Sequence, residues 1–145
     1  ALVLREKKGN AILYSVRPTH PLFPELQSLI LKIAGIELPS WQSVVAEFSR
    51  RVRQTYGLRL KGIVLYGSWA RGEATPDSDV DLAVILFKIQ DFWKELRQLR
   101  HIAYEVSFGK GHSIVLSVMP IEAQELQKAK APILRLIQQE GRAVA

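Results

Sequence analysis

Two short stretches of this 145-residue chain carry residue types that do chemistry together: Gly67-Ser68-Trp69-Ala70-Arg71-Gly72 and, six residues on, Asp79-Val80-Asp81. An apolar run, Leu60 to Tyr66, feeds the first stretch. The pattern predicts a strand that enters a tight turn and then a short helix. Such a turn leaves backbone N–H groups free at the helix start, where they and the helix dipole take phosphate oxygens. Gly67 lets a phosphate approach the backbone, the Ser68 hydroxyl adds a donor, and Arg71 is placed one turn on to clamp phosphate charge. Asp79 and Asp81 stand at the head of a second apolar run, Val80 to Phe87. Two apart on a strand, their side chains face one side. Neighbouring carboxylates repel, and a divalent cation relieves the repulsion. Magnesium suits one or two carboxylates completed by substrate phosphates, and a pair of such ions activates an attacking oxygen and stabilises a leaving one. The apolar strands around both stretches weigh against the rival reading, an acidic surface turn near a capped helix.

The elements that must position these residues are legible by period and by breakers. Leu2 to Glu6 and Ala11 to Arg17 read as two strands joined by a turn at Lys7-Lys8-Gly9-Asn10, and Pro18, Pro21 and Pro24 mark an extended connector. Leu26, Leu29, Ile30 and Ile33 form one stripe of a helix over 25–34, stopped by Gly35. Ser40 is the expected N-cap of a helix from Trp41 to Tyr56, with Val44, Val45, Phe48 and Val52 on its apolar face and Gly57 at its end. Beyond the motif, a helix is expected over 90–107 with Phe92, Leu96, Leu99 and Ala103 inward, a third strand over 113–119, and closing helices over 121–128 and 132–139, the last stopped by Gly141. The order is a hairpin, two helices, then a β-α-β-α-β-α unit, which makes an α/β sandwich with a small mixed sheet. We expect two domains, 1–39 with the hairpin and linker helix and 40–145 with the motif.

Charge and composition narrow the classes. Residues 1–60 carry nine Lys/Arg against four acids and residues 61–145 eleven against ten, so the formal net charge of +6 is concentrated in the N-terminal part. That favours a polyanionic partner there, beside the plainer reading of a basic surface. The chain has no cysteine, which excludes disulfides and thiolate zinc sites. No apolar run approaches the roughly 18–20 residues of a membrane span, and the start lacks a signal-peptide pattern. A cytoplasmic location is the expectation. The chain opens at Ala1 on a strand pattern, as a piece of a longer protein would.

Leu65-Tyr66-Gly67-Ser68-Trp69-Ala70-Arg71-Gly72 with Ser78-Asp79-Val80-Asp81-Leu82 resembles the minimal nucleotidyltransferase family of the DNA polymerase β-like superfamily. The resemblance covers roughly residues 40–142, including Leu116-Ser117-Val118-Met119-Pro120 and the stretch from Pro132 to Gly141. It implies transfer of a nucleoside monophosphate from an NTP to an acceptor hydroxyl, on a protein or a small molecule, with Mg²⁺ and loss of pyrophosphate. By resemblance, Gly67 and Ser68 hold the triphosphate and Asp79 and Asp81 hold the metals. The family usually carries a third carboxylate on the third strand, and Ser113 stands where it is expected here. A serine is a poor general base, His112 beside it points to the opposite face, and Glu105 reaches in only if its helix end bends. Nucleotide binding is therefore expected ahead of fast transfer.

The hairpin resembles the wing of a winged helix-turn-helix regulator, with Arg5, Lys7 and Lys8 placed to touch nucleic-acid phosphates. The stretch from His20 to Leu26 resembles the linker that joins such wings to nucleotidyltransferase domains. The rival reading is thus a catalytically degenerate domain of a winged-helix DNA-binding transcriptional regulator, its DNA-reading helices on a longer parent chain. A protein partner and a homodimer are compatible with either reading. His20, His101 and His112 have no metal-ligand spacing, the cluster Arg50, Arg51 and Arg53 reads as a solvated helix face, and the tryptophans read as packing, with Trp69 alone close to nucleotide.

Overall fold

The computed structural model describes residues 3–16, 22, 26, 29–30, 33–35, 40–108 and 114–144. The chain forms two compact units, Ala1–Leu38 and Pro39–Ala145. In the first, β1 (Val3–Lys8) pairs antiparallel with β2 (Ala11–Val16) in the register Lys8↔Ala11 through Val3↔Val16. Gly9 takes a φ of +64° at the first position of the two-residue loop, a conformation glycine adopts without strain. The side chains of Arg5 and Lys7 are exposed, and Lys8 ends β1. The helix expected over 25–34 lies largely outside the described residues.

The second unit opens on α1 (Trp41–Tyr56). Its N-cap is the expected one: Ser40 Oγ accepts the Ser43 N–H at 3.2 Å, and Ser43 Oγ donates back to the Ser40 carbonyl at 2.8 Å. Val44, Val45, Phe48 and Val52 are buried, and Gly57 closes the helix at a φ of +53°. A 3₁₀ turn over Gly57–Arg59 leads to β3 (Leu60–Tyr66), and α2 (Ser68–Arg71) follows at once. Then come β4 (Val80–Leu86), α3 (Phe92–Phe108), β5 (Leu116–Glu122), α4 (Ala123–Lys128), α5 (Pro132–Glu140) and a two-residue strand, β6 (Arg142–Ala143).

The sheet order is β5-β4-β3-β6, with β3 antiparallel to both of its neighbours and β4 parallel to β5. Alternation along the strands splits the core into two layers. Ile63, Leu65, Val80, Leu82, Val84, Leu86, Leu116 and Val118 pack with Val44, Phe48, Val52, Leu99, Ile102 and Val106 of α1 and α3. Tyr66, Ala83, Ile85 and Ile121 pack on the other side with Ala123 and Ile137, flanked by Leu126 and Leu134 of α4 and α5. A small mixed sheet between helices is the expected architecture.

Four expectations shift. The third strand runs over Leu116–Glu122 and the following helix starts at Ala123, because Pro120 does not end the strand. It pairs with Val84 from an edge strand, where a missing N–H costs no ladder bond. The third helix starts at Phe92, since Asp91 Oδ1 accepts the Lys94 N–H at 3.0 Å and acts as its cap. Phe92 is then exposed rather than inward, edge-on to an exposed Trp93 at a centroid distance of 5.4 Å. The sheet also gains β6, which two residues are too few to announce by period.

Candidate functional site

Strands β3 and β4 bring the two motif stretches side by side. Tyr66 registers with Asp81, so the turn that leaves β3 at Gly67 opens directly beside the carboxylate on β4. Gly67 has a φ of +76°, and a Cβ there would run into the Asp81 carboxylate, with Cγ at 3.2 Å. Only glycine fits both the conformation and the space. Helix α2 spans a single turn, closed by Gly72 in the left-handed region at φ +73° and ψ +21°. Gly67 O accepts the N–H groups of Ala70 and Arg71 at 3.1 and 3.2 Å. Among the described residues, the Ser68 and Trp69 N–H groups and the Ser68 hydroxyl have no hydrogen-bond partner. Three donors are thus left free where an anion is expected.

Asp81 is partly buried on the sheet face that carries Tyr66 and Ala83. Burial pushes its pKa above the usual carboxylate value, a hydrogen bond from Ser117 opposes that, and the Asp79 charge adds to the rise. Asp79 is exposed and sits one residue before β4, whose first N–H, that of Val80, donates to the Val115 carbonyl at 2.9 Å. Burial and the Asp81 charge also push the Tyr66 hydroxyl up. The residue beside Asp81 on the parallel neighbour is Ser117. His112 and Ser113 lie outside the described residues.

Arg71 meets two carboxylates. Its Nε donates to Glu73 at 2.8 Å, and its Nη1 lies 3.0 Å from both oxygens of Glu140. Glu73 and then Glu140 hold the guanidinium more firmly protonated than a free one. Glu140 Oε1 also accepts the Gly67 N–H at 2.9 Å. Sequence reasoning missed Glu140, which stands 73 residues from Gly67. Its one signal was the helix stop at Gly141, which fixes where the last helix turns back toward β3.

Trp69 braces the loop between the two stretches. Its indole N–H donates to the Ser78 carbonyl at 3.2 Å, and its ring packs on Trp41 at 5.1 Å. The loop is closed by Ser78 Oγ accepting the Thr75 N–H at 2.8 Å. The cluster of Arg50, Arg51 and Arg53 is the solvated face expected: Arg50 and Arg51 pair with Glu47 at 2.8 and 3.0 Å, and Arg53 is exposed.

No group of three or more His, Cys, Asp or Glu side chains among the described residues is arranged to hold a metal by itself. Asp79 and Asp81 nonetheless suit a divalent cation that takes its remaining ligands from phosphate and water. One is exposed, the other is destabilised as an anion by burial and by its neighbour, and unpaired hydrogen-bond donors lie across the strand pair.

A strand–turn–helix element with unpaired backbone donors faces an Asp-x-Asp pair in this mixed α/β domain. The nucleotidyltransferase domain family matches residues 45–138, and the chain belongs to it. Over 62 residues it is 34% identical to "Protein adenylyltransferase MntA" of Thermococcus cleftensis, a match covering 43% of this chain and 61% of that protein. Over 44 residues it is 36% identical to "Putative protein adenylyltransferase MJ0604" of Methanocaldococcus jannaschii, covering 30% of this chain and 44% of that one. The chain thus spans less than two thirds of the length of these relatives. A solved structure described as a toxin-antitoxin with AMP-PNP superposes with a TM-score of 0.47 at 17% identity, over 73% of each chain.

Proposed function

We propose that this domain transfers a nucleoside monophosphate, adenylate from ATP, to a hydroxyl of a protein acceptor. The observation that carries the reading is the juxtaposition of three free donors at Ser68 and Trp69 with the Asp81 carboxylate across the β3–β4 pair. The donors suit the triphosphate, and the carboxylates of Asp79 and Asp81 suit Mg²⁺, which when bound would offset the charge gathering on the phosphates. The acceptor oxygen attacks the α-phosphorus, the bond to the bridging oxygen breaks, and pyrophosphate leaves. The acceptor's proton passes to water, since Ser117, the residue beside Asp81, is no base at neutral pH. Adenylate and a protein acceptor are favoured by the names of the relatives, which weigh for transfer over the degenerate DNA-binding regulator.

Titration with each Mg²⁺–NTP, beside an Asp79→Asn/Asp81→Asn double variant, tests the site. Saturable binding that the double variant loses is expected, with ATP preferred. No binding of any NTP to the folded protein overturns the reading. Transfer of label from α-labelled ATP to protein, absent in the double variant, tests the chemistry.

A further inference from the structure

Three successive backbone N–H groups open the Gly67–Ser68 turn, and one of them, that of Gly67, is already bonded. Glu140 accepts the Gly67 N–H at 2.9 Å, whereas the Ser68 and Trp69 N–H groups have no partner among the described residues. The same carboxylate receives Arg71 Nη1 at 3.0 Å on both oxygens. Arg71 is anchored from its other side by Glu73 at 2.8 Å, so its charge is met by two carboxylates before any nucleotide arrives.

Glu140 itself is held in place. Its side chain is only 14% exposed. It is the last residue of α5, whose Ile137 is buried against Tyr66, Ala83 and Ile85. Gly141 follows, and its N–H donates to the Ile137 carbonyl at 2.9 Å. A Cβ on Gly141 would press on Val64 Cγ1 at 2.5 Å, so the chain runs flush against β3 there. β6 then pairs Arg142 with Leu65 and Ala143 with Val64, one and two residues ahead of Tyr66. The Glu140 carboxylate is pinned by helix, glycine and strand at the mouth of the turn.

We propose that Glu140 is a positioning residue for nucleotide binding: by taking the Gly67 N–H and the Arg71 guanidinium, it fixes the turn so that the Ser68 and Trp69 donors are presented to the triphosphate. The proposal rests on the nucleotidyltransferase reading above. It gives Arg71 the role of a brace within the turn rather than a direct clamp on phosphate. It also makes the C-terminal helix part of the nucleotide site.

The test is calorimetric titration of Mg²⁺–ATP into wild type, Glu140→Ala, Glu140→Gln, Arg71→Ala and the Arg71→Ala/Glu140→Gln double variant, with the thermal midpoint of each. Glu140→Ala is expected to weaken binding about tenfold, the loss of one charge-assisted hydrogen-bonded pair. Glu140→Gln keeps an acceptor for Gly67 and is expected to weaken it about threefold with its midpoint preserved, which keeps the test open if Glu140→Ala does not fold. In the Arg71→Ala background Glu140→Gln is expected to add nothing, because the pair acts as one unit. A purely structural role would lower the midpoint and leave the affinity of the folded protein unchanged, and that result overturns the proposal. Tighter binding by Glu140→Ala overturns it too, since the carboxylate would then be a competitor of phosphate. Absence of wild-type binding removes both this proposal and the nucleotide reading, whereas wild-type binding with unaffected variants removes this proposal alone.

Discussion

The Asp81 carboxylate lies against Gly67, close enough that a Cβ on Gly67 would stand 3.2 Å from Asp81 Cγ. The Gly67–Ser68 turn and the carboxylate strand therefore meet across a gap too narrow for a single methyl group. The gap exists because Tyr66 and Asp81 are register partners, so the turn leaves β3 level with the carboxylate.

Gly67→Ala tests that gap. The new methyl meets the carboxylate, and alanine must also hold a φ of +76°. We expect a loss of about 1–3 kcal/mol of stability and nucleotide binding too weak to detect. Chemical denaturation and ATP titration measure the two. Wild-type affinity in Gly67→Ala would show that the turn does not face the nucleotide.

Ser117→Asp tests the uncharged position beside Asp81. Ser117 hydrogen-bonds Asp81 and steadies its charge, and an aspartate there replaces a donor with a third negative charge. Without metal, we expect the variant to be less stable than wild type by about 1 kcal/mol. With Mg²⁺ the thermal midpoint should recover more than it does in wild type, because a cation offsets the added repulsion. Label transfer from α-labelled ATP should rise by about 10²-fold if a base is what the site lacks. An equal response of both proteins to Mg²⁺ would place the cation away from this strand pair.

The motif was legible because each part is local. A strand feeding Gly67-Ser68, a one-turn helix and an Asp-x-Asp strand are written in consecutive residues, as are the Ser40 cap and the stripe from Val44 to Val52. What stayed hidden depends on pairing between distant segments. Glu140 reaches Gly67 only because β6 lies on β3, and a two-residue strand has no period to read. Ser117 faces Asp81 only through the β4–β5 register, which no local pattern announces. Arg71 read as a clamp for phosphate charge, since nothing in its own neighbourhood announces the Glu140 partner. Trp93 read as packing, yet 66% of it is exposed.

Trp69→Phe separates packing from bracing. The phenyl ring retains contact with Trp41 but loses the indole N–H that Ser78 O accepts at 3.2 Å. One hydrogen bond of this kind contributes about 0.5–1.5 kcal/mol. We expect that loss in overall stability, and faster cleavage by a nonspecific protease within residues 73–78, since the loop loses its tie to α2. A cleavage pattern identical to wild type would mean that the Thr75–Ser78 turn holds the loop unaided.

Glu47 supplies a pH-dependent term far from the site. Hydrogen bonds from Arg50 and then Arg51 lower its pKa from an ordinary 4.5 to about 2. Arg51 also reaches Glu105 at 3.0 Å, tying α1 to α3. A carboxylate whose folded pKa is depressed contributes stability that is full above its unfolded pKa and is lost as pH falls through the folded one. The window here runs from about pH 4.5 down to about pH 2. The group is partly exposed, so solvent screening holds the contribution to about 0.5–1 kcal/mol. Glu47→Gln should therefore be less stable than wild type by that amount at pH 7, and the difference should close as the pH is lowered through the window. Urea midpoints measured at pH 7, 4 and 2.5 check the sign. A gap that persists undiminished at pH 2.5 would show that the ion pairs are not its source.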